Sequence, residues 1–310
     1  MGNARVGWIG CGRMGTAMAK RLVVSDNDVV VTNRTRAKAE ALAELGATVV
    51  DSPRELADCD VVFIMVSADA QLMEVVTGPN GVLSNESSSP SVIVDCSTVS
   101  TETSANVRIA CELRGVDFLA APVSGNPKVV ASGRLTLAVS GSREAFDRVR
   151  PLFDLLGHGV SYVGEGEGSR LVKICHNMLL GIVTQALAEI TVLAERGGVP
   201  RSAFLEFINS SVMGSTFSRY KTPAFVNLDF TPTFTPILLR KDFELGMAEA
   251  KKTSVPMPVS ALCTQIVVNA IGAGHVDEDF AVLLLEAARG AGLVLEPENV
   301  TIDDGLGANS

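Results

Sequence analysis

Three groups of residues in this 310-residue chain have the types and spacing to do chemistry. The first is Gly10-Cys11-Gly12-Arg13-Met14-Gly15, placed directly after a short apolar run and directly before a helical pattern. Glycines at the first, third and sixth places permit a tight turn and let a pyrophosphate approach the backbone. They also bring up a helix N-terminus whose unpaired N–H groups and positive dipole end face the phosphates. The second is Ala121-Pro122-Val123-Ser124-Gly125-Asn126, in which the Ser124 hydroxyl and the neighbouring backbone amides can hold a carboxylate. The third runs from Gly166 and Gly168 through Ser169-Arg170-Leu171-Val172 to Lys173, and on through Ile174-Cys175-His176 to Asn177. Lys173 and Asn177 are four residues apart and share one helical face. A lysine in the first turns of an apolar helix has its pKa lowered by the dipole and by burial, which suits general acid–base work at neutral pH. The bland alternative is a solvated surface lysine, which is what most lysines near a helix start are. Together the groups offer a dinucleotide cradle and a place for a carboxylate, with Lys173 either a proton-moving residue or a solvated one.

The nucleotide end carries a further signal. A dinucleotide with a free ribose 2′-hydroxyl asks for an acidic residue at the end of the second strand, about twenty residues on. Here the run 29–32 ends in Asn33-Arg34-Thr35. These residues offer donors and a positive charge, and the guanidinium fork fits a 2′-phosphate. The expected cofactor is NADP(H) in preference to NAD(H). The alternative is that Arg34 is a solvated arginine stacking on adenine.

These groups need elements to hold them. Strand-like runs at 5–9, 29–32, 48–50, 61–66, 91–95, 117–120, 135–140 and 159–163 alternate with helical patterns such as 15–22, 36–45 and 101–114. That alternation predicts βαβ units and a doubly wound, mainly parallel sheet of the Rossmann type over residues 1–163, an α/β nucleotide-binding domain. At the glycine-rich segment 164–168 the strand signal stops. Helical patterns at 169–195, 201–210, 237–253, 258–273 and 280–289 predict an all-helical C-terminal domain over 164–297, joined to the first by the long helix 169–195. Residues 298–310 read as a polar tail expected to fray.

Composition narrows the classes. The formal net charge is −9 and no basic run is present, which argues against nucleic acid as a partner. The most apolar long stretch, 171–194, contains Lys173, His176, Gln185 and Glu189, so it reads as a buried helix of a soluble protein rather than a membrane span. The first five residues lead straight into a strand pattern, with no targeting segment expected. Six cysteines form no CxxC pair and read as free thiols in a reducing, cytoplasmic compartment. No metal site is expected. His158 and His275 sit in glycine turns, and His176 lies on a different helical face from Lys173, as a packed core residue does.

The same motifs resemble the β-hydroxyacid dehydrogenase family from residue 6 to about residue 295. The matching features are the glycine motif with Met14 before its last glycine, Asp95-Cys96-Ser97-Thr98, and Pro122-Val123-Ser124-Gly125. They continue with Gly166-x-Gly168-x-x-x-x-Lys173-x-x-x-Asn177, Phe234 with Lys241-Asp242, and Gly274-His275-x-Asp277-Glu278-Asp279-Phe280. The resemblance implies that Lys173 protonates the carbonyl oxygen in reduction and takes the hydroxyl proton in oxidation, with Asn177 orienting substrate. It implies that Ser124 and Gly125 hold the carboxylate, that Thr98 lies near both nicotinamide and substrate, and that Phe234 and Asp242 close over the site. Lys241 is implied as a cofactor contact, and Val66-Ser67 as the place where the fourth strand passes the nucleotide. The expected assembly is a homodimer or larger, with the long helix at the interface.

One departure stands out. Many members have Ser-Gly-Gly where this chain has Ser124-Gly125-Asn126, which implies a narrower pocket or an added hydrogen bond to substrate. The following Pro127-Lys128 leans toward the glyoxylate/succinic semialdehyde reductase branch. Three other readings compete. A 6-phosphogluconate dehydrogenase has a glutamate where this chain has Leu180. An imine reductase shares the architecture but usually lacks the lysine. A non-catalytic dinucleotide-binding protein would not bring Lys173, Asn177 and Ser124 together.

Overall fold

The computed structural model describes residues 4–25 and 27–306. The chain forms two compact units, Met1–Lys173 and Ile174–Ser310.

The first unit is built on six strands: β1 (Arg5–Ile9), β2 (Asp28–Thr32), β3 (Thr48–Val49), β4 (Val61–Ile64), β5 (Val92–Asp95) and β6 (Asp117–Ala120). All pairings are parallel, in the order β3-β2-β1-β4-β5-β6. The chain path therefore reverses beside β1, the switch point at whose carboxyl ends an open α/β sheet binds ligands. β4 is buried along its whole length, and so is β5. Covering both faces of a parallel sheet is what makes such strands near-continuous Val/Ile runs. Along one strand, alternate residues enter two separate cores: Trp8, Phe63 and Val94 on one face, Ile9, Ile64 and Ile93 on the other. Helices α1 (Arg13–Val23), α2 (Ala37–Ala43), α3 (Asp69–Thr77), α4 (Thr101–Glu112), α5 (Pro127–Ala131) and α6 (Arg143–Leu156) connect the strands.

The last two expected strands leave the main sheet. β7 (Val123–Ser124), β8 (Thr136–Val139) and β9 (Gly159–Tyr162) form a small sheet of their own, with β7 antiparallel and β9 parallel to β8. An antiparallel bridge from Ala120 to Ser140 joins it to the end of β6.

Beyond β9 the described residues contain no strand. The helices are α7 (Gly168–Arg196), α8 (Arg201–Ser210), α9 (Thr216–Asn227), α10 (Pro236–Thr253), α11 (Pro258–Gly272) and α12 (Leu283–Gly290). α7 runs through the division between the units. Within the second unit α7 and α10 approach closely. A Cβ on Gly246 would stand 2.0 Å from Met178 Sδ, and one on Gly181 would stand 2.4 Å from Phe243.

Three expectations are corrected. α9 gives no helical signal in sequence, because Pro223 and a run of Ser, Thr, Tyr and Lys mask it; Ser215 nonetheless caps its start, accepting from Ser218 N. α7 was expected to be a buried helix and is only half so. It is long and apolar enough to cross a membrane by length and composition, and half of its apolar window is buried inside the protein. Leu179, Val183, Ile190 and Leu193 remain exposed while Met178, Leu187, Ala188 and Val192 are buried. The third concerns the expected frayed tail. The Glu298 carboxylate accepts from Arg201 N at 2.6 Å and Ser202 N at 3.1 Å, and Val300 exchanges two bonds with Asn227. The start of the tail is thus pinned to α8 and α9; its last residues, 307–310, lie outside the described ones.

Candidate active site

Each glycine of the amino-terminal motif has its own physical reason. Gly10 sits at φ +100°, and a Cβ there would stand 2.1 Å from the Met65 carbonyl oxygen. A Cβ on Gly15 would lie 1.9 Å from the Gly10 carbonyl oxygen, so α1 packs against the strand only because that atom is missing. Gly12 is different: nothing stands within 4 Å of the place its Cβ would occupy. Gly12 is also the N-cap of α1, and no side chain caps the helix. Open backbone at an uncapped helix N-terminus is the cradle a pyrophosphate fills, and the residues present fit a dinucleotide. The Trp8 indole N–H donates to Gly10 O at 3.0 Å and so holds the loop from below. Burial pushes the Cys11 thiol up to about 11, which makes it a packing residue rather than a nucleophile.

Asn33 has a role that its sequence position did not reveal. Its Oδ1 accepts from Cys11 N at 2.9 Å and its Nδ2 donates to Thr35 O at 2.9 Å. The amide staples the glycine loop to the end of β2, instead of standing open as a donor for phosphate. Arg34 and Thr35 are exposed at that strand end, as is Arg13, while Met14 is partly buried. Arg36 is taken up by Asp51 and Glu40.

The start of α7, which carries Lys173, is fixed by two residues that precede it. The Ser169 hydroxyl donates to Ala120 O at 2.8 Å, at the carboxyl end of β6, and contacts the Ser140 hydroxyl at 2.8 Å. Arg170 is buried at 1% exposure beside Asp95 at 0%, the last residue of β5, with 2.5 Å between Nη2 and Oδ2. Arg108 holds the glycine-rich segment from outside, donating to Glu167 at 2.7 Å and to Gly166 O at 2.8 Å. Lys173 itself is partly buried.

In the same unit, Thr98 and Ser124 are partly buried and Gly125 is exposed. Gly125 has φ +143°, and a Cβ there would stand 2.8 Å from Val129 Cγ1. Val66 N donates to the Ser97 hydroxyl at 2.9 Å, which ties the loop after β4 to the loop that carries Thr98. Exposed Ser67 donates to Gln71. Asn126, the departure from the family pattern, is buried, and its Oδ1 accepts from Val129 N at 3.0 Å as the N-cap of α5.

In the helical unit Asn177 is buried. Its Nδ2 donates to Asp242 Oδ2 at 2.5 Å, and its Oδ1 lies 3.0 Å from His176 Nδ1. His176 is therefore no plain core residue; it is partly buried and braces Asn177. Lys241 Nζ stands 3.3 Å from Asp242 Oδ1. Phe234 packs edge-on against Phe280 at 5.7 Å. Its loop is pinned by Asp279, which accepts from Thr233 N at 3.1 Å and from buried Lys221 at 2.5 Å.

Sequence reasoning missed Arg170, Ser169, Asp95 and Lys221 as working residues. The available signal, for Asp95 alone, was a charged side chain ending an apolar run, which demands a partner when buried.

Comparison with known proteins shows what the chain is similar to. Residues 5–164 match the NAD binding domain of 6-phosphogluconate dehydrogenase, and residues 166–286 match the NAD-binding region of NADP-dependent 3-hydroxyisobutyrate dehydrogenase. Glyoxylate/succinic semialdehyde reductase 1 of Arabidopsis thaliana is 32% identical over 90% of this chain and 96% of its own length. The structure of 3-hydroxyisobutyrate dehydrogenase from Salmonella typhimurium superposes with a TM-score of 0.82 at 26% identity, over 92% of this chain and all of that one. An imine reductase from Myxococcus stipitatus is more distant, with a TM-score of 0.59 at 23% identity over 90% and 98% of the two chains, and shares the fold. By both of its halves and by near full-length identity, the chain belongs to the β-hydroxyacid dehydrogenase family.

Proposed function

We propose that this protein is an NADP(H)-dependent oxidoreductase that interconverts a small 3-hydroxy or 2-hydroxy acid and its semialdehyde or oxo acid. The observation that carries the reading is the anchoring of the helix start before Lys173. Ser169 and Arg170 bind it to the carboxyl ends of β6 and β5, in the same sheet whose β1 ends in the uncapped glycine loop. A lysine held there is where an open α/β sheet keeps its chemistry.

The mechanism follows from these residues. A nicotinamide dinucleotide held at the glycine loop would supply or accept the hydride. Ser124 and the backbone at Gly125 receive the substrate carboxylate and so fix where its carbonyl carbon lies. In reduction the Lys173 ammonium donates a proton to the carbonyl oxygen as negative charge develops there, and the resulting amine regains a proton from solvent. In oxidation the neutral amine removes the hydroxyl proton. Asn177, one helical turn further along α7, is held rigid by Asp242 and His176, which suits it to orient a polar substrate group. Arg34 and Thr35 support NADP(H) as the preferred cofactor, since the residues that follow β2, Asn33-Arg34-Thr35, include no acidic side chain to repel a 2′-phosphate. The substrate partner is thus a small carboxylate, and the family pattern together with the exposed stripe on α7 favours a homo-oligomer.

The test is a panel of small semialdehydes, hydroxy acids and cyclic imines assayed with NADPH, NADP+, NADH and NAD+. Turnover of a semialdehyde–hydroxy acid pair with a lower KM for NADPH is the expected result. Turnover of imines alone, or of nothing, overturns it.

A further inference from the structure

We infer that Arg170 is a positioning residue for the reaction, setting the placement of Lys173 and Thr98 through one buried ion pair. This rests on the reading of Lys173 as the acid–base residue and goes beyond it.

The guanidinium is committed on every side. Nη2 meets Asp95 Oδ2 at 2.5 Å, Nη1 donates to Ser97 O at 2.5 Å, and Nε donates to the Ser104 hydroxyl at 3.0 Å. Asp95 uses its other oxygen to accept from Ser97 N at 3.0 Å. The Ser97 hydroxyl in turn accepts from Val66 N at 2.9 Å. One cation therefore joins three pieces of backbone: the first turn of α7, the loop after β5 with Thr98 next to Ser97, and the loop after β4. Lys173 is three residues beyond Arg170 and lies on the same side of the helix.

Stability alone is a poor reason for this arrangement. A buried ion pair is a weak stabiliser, and well-packed apolar residues of similar volume often do as well or better. What the pair supplies is one geometry. The planar fork fixes direction as well as distance, which a lysine ammonium at the same place cannot do. A general acid displaced by about 1 Å loses on the order of 10²-fold in rate, so the residue that sets its position matters as much as its own pKa.

The test compares Arg170→Lys with the paired substitution Asp95→Asn/Arg170→Met, which removes both charges and leaves none buried alone. Cofactor dissociation constants, kcat, substrate KM and the pH–rate profile are measured beside wild type and Lys173→Ala. The expected result is that the cofactor dissociation constants and substrate KM change much less than kcat, since Thr98 and Val66 are only two of the residues assigned to cofactor and substrate. kcat is expected to fall by roughly 10²-fold in the paired variant, and less in Arg170→Lys, which keeps the charge but not the fork. The limb of the pH–rate profile that depends on Lys173 is expected to shift in both. Wild-type kcat in either folded variant overturns the inference, and so does a kcat loss matched by an equal loss of cofactor binding. If the paired variant does not fold, Arg170→Lys decides by the same criteria. Should Lys173→Ala keep wild-type turnover, the acid–base reading falls; should Lys173→Ala be inactive while the Arg170 variants are normal, only this inference falls.

Discussion

A proton donor is useful only where its direction is fixed, and on the proposed reading Lys173 gains that through its neighbours. It is partly buried, its helix start is tied down by Ser169 and Arg170, and the carboxylate-binding candidate Ser124 lies in the same unit. Replacing Lys173 with alanine is expected to lower kcat by about 10²–10⁴-fold while cofactor binding is largely kept. Steady-state kinetics and cofactor titration check both halves of that statement. At the other end of the site, the proposed preference for NADP(H) rests chiefly on Arg34. Arg34→Gln is expected to raise the KM for NADPH by roughly ten-fold or more and leave that for NADH almost unchanged, since a charge-assisted bond to a 2′-phosphate is worth about 1.5–3 kcal/mol. Equal effects on the two cofactors would mean that Arg34 stacks on adenine. Asn33 shows where residue-by-residue reading stops. Its type and place suggested a phosphate donor, but a side-chain amide serves backbone as readily as ligand, and here it serves the glycine loop.

At the scale of elements, what was legible followed from burial. Strands covered on both faces must be Val/Ile runs, so β4 and β5 were plain in the sequence. α8 was equally plain, with the observed bounds Arg201–Ser210. α9 was hidden because its stability comes from its cap and its packing, not from the propensities of its residues. The Arg170–Asp95 pair was hidden for another reason: an apolar run with one charge says that a partner exists, and the partner is 75 residues away. Asn126 also changes meaning at this scale. It caps α5, so Asn126→Ala is expected to cost about 1 kcal/mol in urea unfolding, with Asn126→Asp restoring most of it. A rise in substrate KM with stability unchanged would instead place Asn126 in the pocket. Glu298 gives a pH prediction of the same local kind. Burial pushes its carboxyl up, but bonds from Ser202 and Arg201 outweigh this and hold it below the usual carboxylate range. A carboxyl whose pKa is depressed by folding stabilises fully above its unfolded pKa and loses that contribution as pH falls through the folded one. Glu298→Gln is therefore expected to speed amide exchange at the start of α8 near pH 7. The difference from wild type should shrink once the pH drops below about 4.

At the scale of the whole molecule, the telling feature is a row of exposed apolar side chains along α7. On α7, Leu179, Val183, Ile190 and Leu193 are exposed at 58%, 38%, 44% and 72%. Their spacings of four, seven and three residues put them on one face of the helix. Of the polar side chains near this stripe, Gln185 donates to Glu189 at 2.8 Å and Glu286 binds Arg289 at 2.6 Å and Asn269 at 2.9 Å, while Gln185 Oε1 and the Thr191 hydroxyl are buried without a partner. The four residues of the stripe are themselves all apolar, as the core of a homodimer interface largely is. Scattered exposed apolar residues need no explanation, but a contiguous row of them on one long helix does. A second copy of the chain offers the same row, and self-complementarity is what a two-fold interface requires. Sedimentation of the wild-type protein is expected to give a dimer or larger. Leu179→Glu combined with Leu193→Glu is expected to shift it toward monomer while helical content is retained. Each mutated leucine faces outward, so misfolding is not the natural result, and unchanged sedimentation in the folded double variant would place the contact between copies on some other face.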